Sequence, residues 1–396
     1  MNKELVLVTI SGPDHPGITA ALMNCICKSK AKIEDMGQSI THGLLSLSIL
    51  LNMSNAEGEQ DNSPLIKDLL FTAKKMGVEL DFEIIEDKER ISAPGDKYIL
   101  SCVSLGGITP DFLHDISSTL AESNINIQRI ENVTENQFKS LEIGTRAESK
   151  DVNWDQVKEK LINLSNKHET DLALLKDDVW RRNKRLIVFD MDSTLIQSEV
   201  IVEMAKAHGV GDKVHEITER AMEGHLNFDE SLVERVRLLK GLREDLLQEI
   251  IEEIKLTEGV EEFVKTVKSL GYKIAIISGG FTYFANYFKE KLGIDYAFAN
   301  DLHIENGVLT GDIKGSIVNA EKKAMLVDLL AQQEGIRLEQ VVAIGDGAND
   351  LHMLAKAGLG IAFHAKEIVK QSAKQHMSHG PMTSILYFLG IPGAQD

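Results

Sequence analysis

The chain has 396 residues, 43% hydrophobic and 26% charged, a balance that excludes collagen-like and low-complexity sequence and at roughly 100–200 residues per domain suggests about two to four domains. Its 43 Lys and Arg against 61 Asp and Glu leave a net charge of −18, which disfavours nucleic acid as a partner and means that an anionic substrate needs a local cluster of cations or a metal ion. Three cysteines (Cys25, Cys27 and Cys102) are too few for a disulfide framework, and the apolar run Leu5–Ile10 is too short for a leader core or a membrane span, so a reducing, cytoplasmic setting without membrane association is expected.

Leu5–Ile10 is a β-rich run that ends in Ser11-Gly12-Pro13-Asp14-His15-Pro16-Gly17 and leads into a helical stretch to about Lys30. Cys25 and Cys27 lie on that stretch and read as ordinary apolar residues. Extended segments near Ile33–Thr41 and Leu44–Met53, a helix over about Pro64–Met76 and a strand over Val78–Ile85 complete a βαββαβ order, a ferredoxin-like arrangement. The order then recurs: strand Tyr98–Ser104, helix Pro110–Ser123, strands Ile125–Val133 and Ser140–Ala147, helix Trp154–Leu164 and closing strand Asp171–Leu175. The offset of about 93 residues is too long for a solenoid and indicates a duplicated domain. The expected boundaries are 1–86 and 97–178, joined by a polar linker, Glu86–Asp96, that contains Pro94 and Gly95.

From Arg181 the pattern changes. Apolar strand-like runs at Leu186–Phe189, Ile274–Ile277, Val341–Ile344 and Leu359–Phe363 alternate with helices, which predicts an α/β domain over 181–396 with a doubly wound parallel sheet. Between the first two runs lies a helical insert over about Val200–Leu256, rich in Glu, Lys and Leu. Ile304–Leu309 reads as a hairpin with an Asn306-Gly307 turn.

Three of these strands end in chemically distinctive residues. The first runs into Asp190-Met191-Asp192-Ser193-Thr194, the second into Ser278-Gly279-Gly280-Phe281, and the third into Gly345-Asp346-Gly347-Ala348-Asn349-Asp350. In open α/β sheets ligands bind beyond the carboxyl ends of the strands. Taken singly, Asp190 and Asp192 read as a solvated turn, Ser278 as a helix cap, Asp350 as a first-turn acid, and Lys322 and Lys323 as surface residues. Taken together they place hard oxygen ligands, a hydroxyl, free backbone N–H groups and a lysine at one edge of one sheet, a set suited to a metal ion and a phosphate.

In that order the four elements resemble the motifs of the haloacid dehalogenase superfamily, whose core is a Rossmann-like sheet with a cap, from about Arg185 onward. The resemblance implies phosphoric monoester hydrolysis through an aspartyl-phosphate. Asp190 would be the nucleophile and Asp192 the general acid and base; Asp190, the backbone carbonyl of Asp192, and Asp346 would hold Mg²⁺. Ser278, Gly279, Lys323 and Asn349 would bind the phosphate, with Asp350 supporting the site; Lys322 competes with Lys323, and the spacing to Asp346 favours Lys323.

The insert is placed where this superfamily carries a cap. Glu199, Ala221-Met222-Glu223-Gly224, the segment from Asn227 to Val236, and Thr257-Glu258-Gly259 closely resemble the phosphoserine phosphatase family. That resemblance implies the last step of serine biosynthesis, the conversion of O-phospho-L-serine to L-serine. Glu199 would pair with the ammonium, Arg235 with the carboxylate, and Met222 and Phe228 would close over the aliphatic part. The two N-terminal units resemble ACT domains, which implies a homodimer and serine as an effector held by Gly12, Asp14 and Gly17. Ser104–Pro110 in the second unit lacks the Asp-His-Pro-Gly pattern. The competing expectations are a phosphatase or phosphotransferase for another small phosphorylated metabolite, and an amino-acid sensor with an inactive phosphatase domain. His376 and His379 read as polar surface.

Overall fold

The structure, a computed structural model, describes residues 4–29, 31–53, 63–86, 95–134 and 138–391. Most of the linker expected at Glu86–Asp96 lies outside them. The chain divides into two compact units, Met1–Ser92 and Ala93–Asp396.

In the first unit β1 (Glu4–Pro13), α1 (Ile18–Lys28), β2 (Lys32–Thr41), β3 (Leu44–Asn52), α2 (Ser63–Met76) and β4 (Glu79–Glu86) form an antiparallel sheet of order β2-β3-β1-β4. Period-2 alternation drives it: Leu45, Leu47, Ile49 and Leu51 of β3 are buried with Val6, Val8 and Ile10 of β1, and Ile18, Leu22 and Ile26 of α1 pack on them. Leu44 and Ser46, which face the other way, are exposed. Cys27 departs from its expected apolar role; it lies on the exposed side of α1, which buries Leu22 and Ile26 instead.

The second unit opens with the same topology. β5 (Lys97–Val103), α3 (Pro110–Glu122), β6 (Ile125–Asn132), β7 (Ser140–Ala147), α4 (Trp154–His168) and β8 (Asp171–Lys176) form a sheet of order β6-β7-β5-β8. Thr109 caps α3 and Pro110 opens it. Here the sheet's second face is covered too, and nearly all of β7 is buried, including Ser140, Glu142 and Thr145.

The cover is the C-terminal α/β part of the same unit. Its sheet has the order β12-β11-β10-β9-β13-β14-β15, built from β9 (Leu186–Phe189), β10 (Lys273–Phe281), β11 (Tyr296–Glu305), β12 (Val308–Lys314), β13 (Val341–Gly345), β14 (Leu359–Phe363) and β15 (Gln375–Met377). Every pairing is parallel except β11 with β12, which Asn306 and Gly307 join with φ of 51° and 77°, as a two-residue turn with both central residues left-handed requires. Helices α5 (Val200–Ala207), α6 (Gly211–Met222), α7 (Phe228–Leu238) and α8 (Glu244–Glu253) form the insert between β9 and α9 (Val260–Ser269). The remaining helices are α10 (Thr282–Leu292), α11 (Ala320–Gln333), α12 (Leu351–Lys356), α13 (Glu367–Ser372) and α14 (Ile385–Phe388). Alternate residues of β9 feed two cores: Ile187 and Phe189 pack with Phe263 and Phe284, while Leu186 and Val188 pack with Val327 and Leu330.

Val103, Ala173 and Leu175, from β5 and β8, belong to the core that contains Ile187 and Phe189. At the edge of the large sheet the Gln375 amide donates to the Leu174 carbonyl at 2.7 Å and accepts from the Leu174 N–H at 2.9 Å, so one side chain stands in for a strand ladder. The buried Asp171 carboxylate accepts from the N–H groups of Ser378, His379 and Gly380. Glu142 pairs with Arg181 where both are buried. His376 is a correction to the expected polar surface. It is 4% exposed, beside Ser165 of α4 at 3.3 Å, and burial, with Lys370, His379 and Lys158 nearby, pushes its pKa down to about 4.

Candidate active site

The register of β9 assembles the site. Phe189 pairs with Ile276 of β10 and Ile344 of β13, and the Asp190 N–H donates to the Ile344 carbonyl at 2.9 Å. Asp190, Ser278 and Asp346 therefore emerge at one carboxyl edge. The chain after Asp190 makes a wide turn over Met191–Leu195, with Ser193 left-handed at φ 57°. This turn brings Thr194 Oγ1 to donate to Asp346 Oδ1 at 3.0 Å. The Asp192 carboxylate accepts from the Val200 N–H at the start of α5, at 3.2 Å.

Lys323 is 0% exposed and reaches this edge from the first turn of α11. Its Nζ lies 2.9 Å from Asp190 Oδ1 and 2.7 Å from Asp350 Oδ1. Lys322 instead donates to Ser316, so of the two candidates only Lys323 reaches the carboxylates. Asp190 Oδ1 also accepts from the Met191 N–H at 2.7 Å, and Asp350 Oδ2 from the Gly347 N–H at 3.0 Å. The glycines are set by close approach: a Cβ at 345 would meet the Asp350 carboxylate, and one at 347 would collide with the Asn349 amide oxygen.

Four carboxylates (Asp190, Asp192, Asp346 and Asp350) thus surround one ammonium. Burial pushes Asp190 well above the usual carboxylate range, and the charge of Asp350 adds to it. Asp192 is raised to about 7, by burial first and also by Glu199, against the Val200 N–H. Asp346 is raised to about 6 by burial and by Asp350. For Lys323 burial opposes the charge, but Asp190 and Asp350 outweigh it and hold the ammonium protonated. Oxygens of Asp190, Asp346 and Asp350 lie within 4.8 Å of one another. This excess of hard anionic oxygen fits a divalent cation. Of these three carboxylates, that of Asp350 is already engaged by Lys323 and the Gly347 N–H.

Ser278 is fully buried at the end of β10, and its Oγ accepts from the Gly280 N–H at 2.8 Å. Phe228, at the start of α7, packs so closely on Gly279 that a Cβ there would lie 2.8 Å from the ring. Arg235, farther along α7, is 9% exposed, donates to the Ser231 carbonyl at 3.3 Å, and feels the charges of Glu199 and Asp192. Glu199 is exposed at the N-cap of α5, and Asn349 is half-buried. The side chain of Met222 lies outside the described residues. Gly12, Asp14 and Gly17 lie in and beside the loop between β1 and α1. Asp14 and Gly17 are exposed, the Asp14 N–H donates to the Gly43 carbonyl, and Gly17 caps α1 at φ 103°.

Sequence reasoning passed over three residues that build this site. Thr194 sat inside the first motif without a role. Asn300, 1% exposed, donates to the Gly279 carbonyl and accepts from the Val318 N–H, both at 2.8 Å; a polar residue directly after the apolar run Ala297-Phe298-Ala299, midway along β11, was its signal. Asn319 caps α11 by accepting from the Lys322 N–H at 3.1 Å, and its position four residues before Lys323 was the available signal.

The sheet, the insert and this array define a phosphatase of the haloacid dehalogenase type. The profile of haloacid dehalogenase-like hydrolases matches residues 184–358, and that of the ACT domain matches residues 4–83. A phosphoserine phosphatase of Streptomyces coelicolor is 36% identical over 98% of this chain and 92% of its own length. One from Archaeoglobus fulgidus is 51% identical over 60% of this chain and 69% of its own length. A solved phosphoserine phosphatase described as a phospho-aspartyl intermediate analogue is 48% identical, with a TM-score of 0.50 over 52% of this chain and 99% of its own. The chain belongs to the phosphoserine phosphatase family.

Proposed function

We propose that this enzyme hydrolyses O-phospho-L-serine to L-serine and phosphate through an aspartyl-phosphate on Asp190. The observation that carries the reading is the buried contact of Asp190 Oδ1 with Lys323 and the Met191 N–H; beside it burial pushes the Asp192 carboxyl up to about 7. An oxygen of Asp190 attacks phosphorus as the bond to the serine oxygen breaks, and Asp192 gives its proton to that oxygen. Water then attacks the phosphorus, Asp192 takes the water's proton, and the bond between phosphorus and Asp190 breaks. Lys323, Ser278, Asn349 and the N–H groups around Gly279 bind the phosphoryl oxygens throughout. Asp190, the Asp192 carbonyl and Asp346 would hold Mg²⁺, with Asp350 beside them; when bound, it supplies charge neutralisation at the phosphoryl oxygens. The related protein described as a phospho-aspartyl intermediate analogue supports the covalent step.

Arg235 and Glu199 give the site its amino-acid preference by pairing with the substrate's carboxylate and ammonium, and Phe228 and Met222 exclude water over the aliphatic part. In this reading 1–86 is an ACT domain, 97–178 is a second one, and 181–396 is the catalytic domain with its cap at about 200–256. The exposed loop at Gly12, Asp14 and Gly17 binds serine as effector, and the ACT domains pair two chains into a homodimer. Among the described residues no helix is long and apolar enough to cross a membrane; the free Cys25, Cys27 and Cys102 suit the reducing cytoplasm. Steady-state phosphate release from phosphoserine, phosphothreonine and an aryl phosphate, with and without Mg²⁺, tests the proposal. Phosphoserine should give the highest kcat/KM and the reaction should require the metal; a higher value on another ester refutes the substrate assignment.

A further inference from the structure

A polar contact joins cap to core beside the site. Asp229 lies in the first turn of α7, between Phe228, which covers Gly279, and Arg235, a turn and a half farther on. Its two carboxylate oxygens accept from Asn319 Nδ2 at 3.3 and 3.2 Å. Asn319 has a second engagement: its Oδ1 caps α11, and its carbonyl accepts from the N–H of Lys323 at 2.8 Å. The adjacent Val318 N–H is tied through Asn300 to the Gly279 carbonyl. The phosphate-binding loop, the Lys323 helix and the substrate-facing end of α7 therefore meet at one amide–carboxylate pair. Asn227 and Glu230 already satisfy the start of α7 through a capping box, so Asp229 is not needed to cap it.

We propose that Asp229 and Asn319 form a closure latch, a pair of positioning residues that fixes α7 over the core and so sets Phe228 and Arg235 against the bound amino acid. The inference rests on the phosphoserine reading for the identity of that substrate. Asn319 suits the role because one amide can offer its oxygen to α11 and its nitrogen to the cap. An aspartate at 319 would still cap α11, but would present a carboxylate to Asp229 and push the cap away.

The test is a reciprocal exchange, read on phosphoserine and on a carboxylate-free aryl phosphate, with the unfolding midpoint measured for every variant. Asn319→Asp should lower kcat/KM on phosphoserine by about tenfold or more, chiefly through KM. Asp229→Asn/Asn319→Asp, which restores the pair with its polarity reversed, should return to within about threefold of wild type. Asp229→Ala leaves the α11 cap untouched and should reproduce the loss if Asn319→Asp folds poorly. In Asp229→Ala, which leaves the α11 cap and Lys323 untouched, aryl phosphate hydrolysis should change by no more than about threefold, because it does not use Arg235. The latch is overturned by wild-type efficiency in Asn319→Asp and Asp229→Ala, by failure of the double variant to recover, or by equal losses on both substrates in Asp229→Ala. If wild-type enzyme does not prefer phosphoserine, the substrate reading fails separately. The same exchange, read on the ester it does prefer, then decides the latch: recovery in the double variant supports it and no recovery refutes it.

Discussion

Among the described residues Lys323 is the only ammonium in contact with the Asp190 and Asp350 carboxylates, and replacing it by Met removes that charge while keeping most of the side-chain volume. At 2.9 and 2.7 Å, each contact corresponds to about 6 kcal/mol of Coulomb attraction at an effective dielectric near 20, before the desolvation penalty is subtracted. Breaking a buried pair by deleting one partner typically costs about 3–5 kcal/mol, because the other charge is left uncompensated. Urea unfolding in the presence of a chelator should therefore show Lys323→Met less stable than wild type by about 3–5 kcal/mol at pH 8. The penalty should shrink as pH falls toward 5. Asp190 and Asp346 already titrate above the usual carboxylate range, and losing the lysine raises them further. Between the unfolded and folded pKa values the folded state binds more protons, so stability falls as pH rises through that window. Excess Mg²⁺ at pH 8 should recover part of the loss without restoring turnover. A variant as stable as wild type at pH 8, or a penalty equal at pH 5 and pH 8, would refute the electrostatic account of the site.

Arg235→Ala should reduce kcat/KM on phosphoserine by about 100-fold, the worth of a charge-assisted bidentate contact, and that on a carboxylate-free aryl phosphate by far less; equal losses would remove the carboxylate role. The pKa of His376, held down to about 4 by burial, makes the folded state refuse a proton that the unfolded state accepts below about pH 6.5, so stability is lost as pH falls from there toward 4. Between pH 7 and 4.5 wild type should lose about 2–3 kcal/mol more than His376→Asn, and superimposable pH profiles would contradict the burial of His376 against α4. Saturating serine should alter wild-type turnover but not that of Asp14→Ala; no effect on either protein sinks the sensing proposal.

Much of the catalytic edge was legible because local pattern and chemistry coincide there. Leu186–Phe189 is too short and too uniformly apolar for anything but a strand buried on both faces, and its ending fixes where Asp190 emerges. Lys322 and Lys323 are adjacent and chemically identical, so sequence alone needed a family spacing to choose between them; the helical phase of α11 sends one inward and leaves the other on Ser316. The second N-terminal sheet was readable as topology but not as environment. Ser140 and Glu142, alternate residues of β7, signal a solvated strand face, yet the catalytic part covers it and Arg181 neutralises Glu142. His376 was misread for the same reason, since its burial arises from residues of α4 far away in the chain. Asn319 and Asp229 are ordinary helix-start residues whose pairing exists only once cap and core are folded together.

The central claim is that Asp190 carries the phosphoryl group, and acid quench of wild-type enzyme during turnover of phosphoserine, followed by borohydride reduction and peptide mass analysis, addresses it most directly. Reduction of an aspartyl-phosphate leaves homoserine, which should be found at position 190 and be absent from Asp190→Asn, itself without turnover. Homoserine at another aspartate, or retained turnover in Asp190→Asn, would contradict the account.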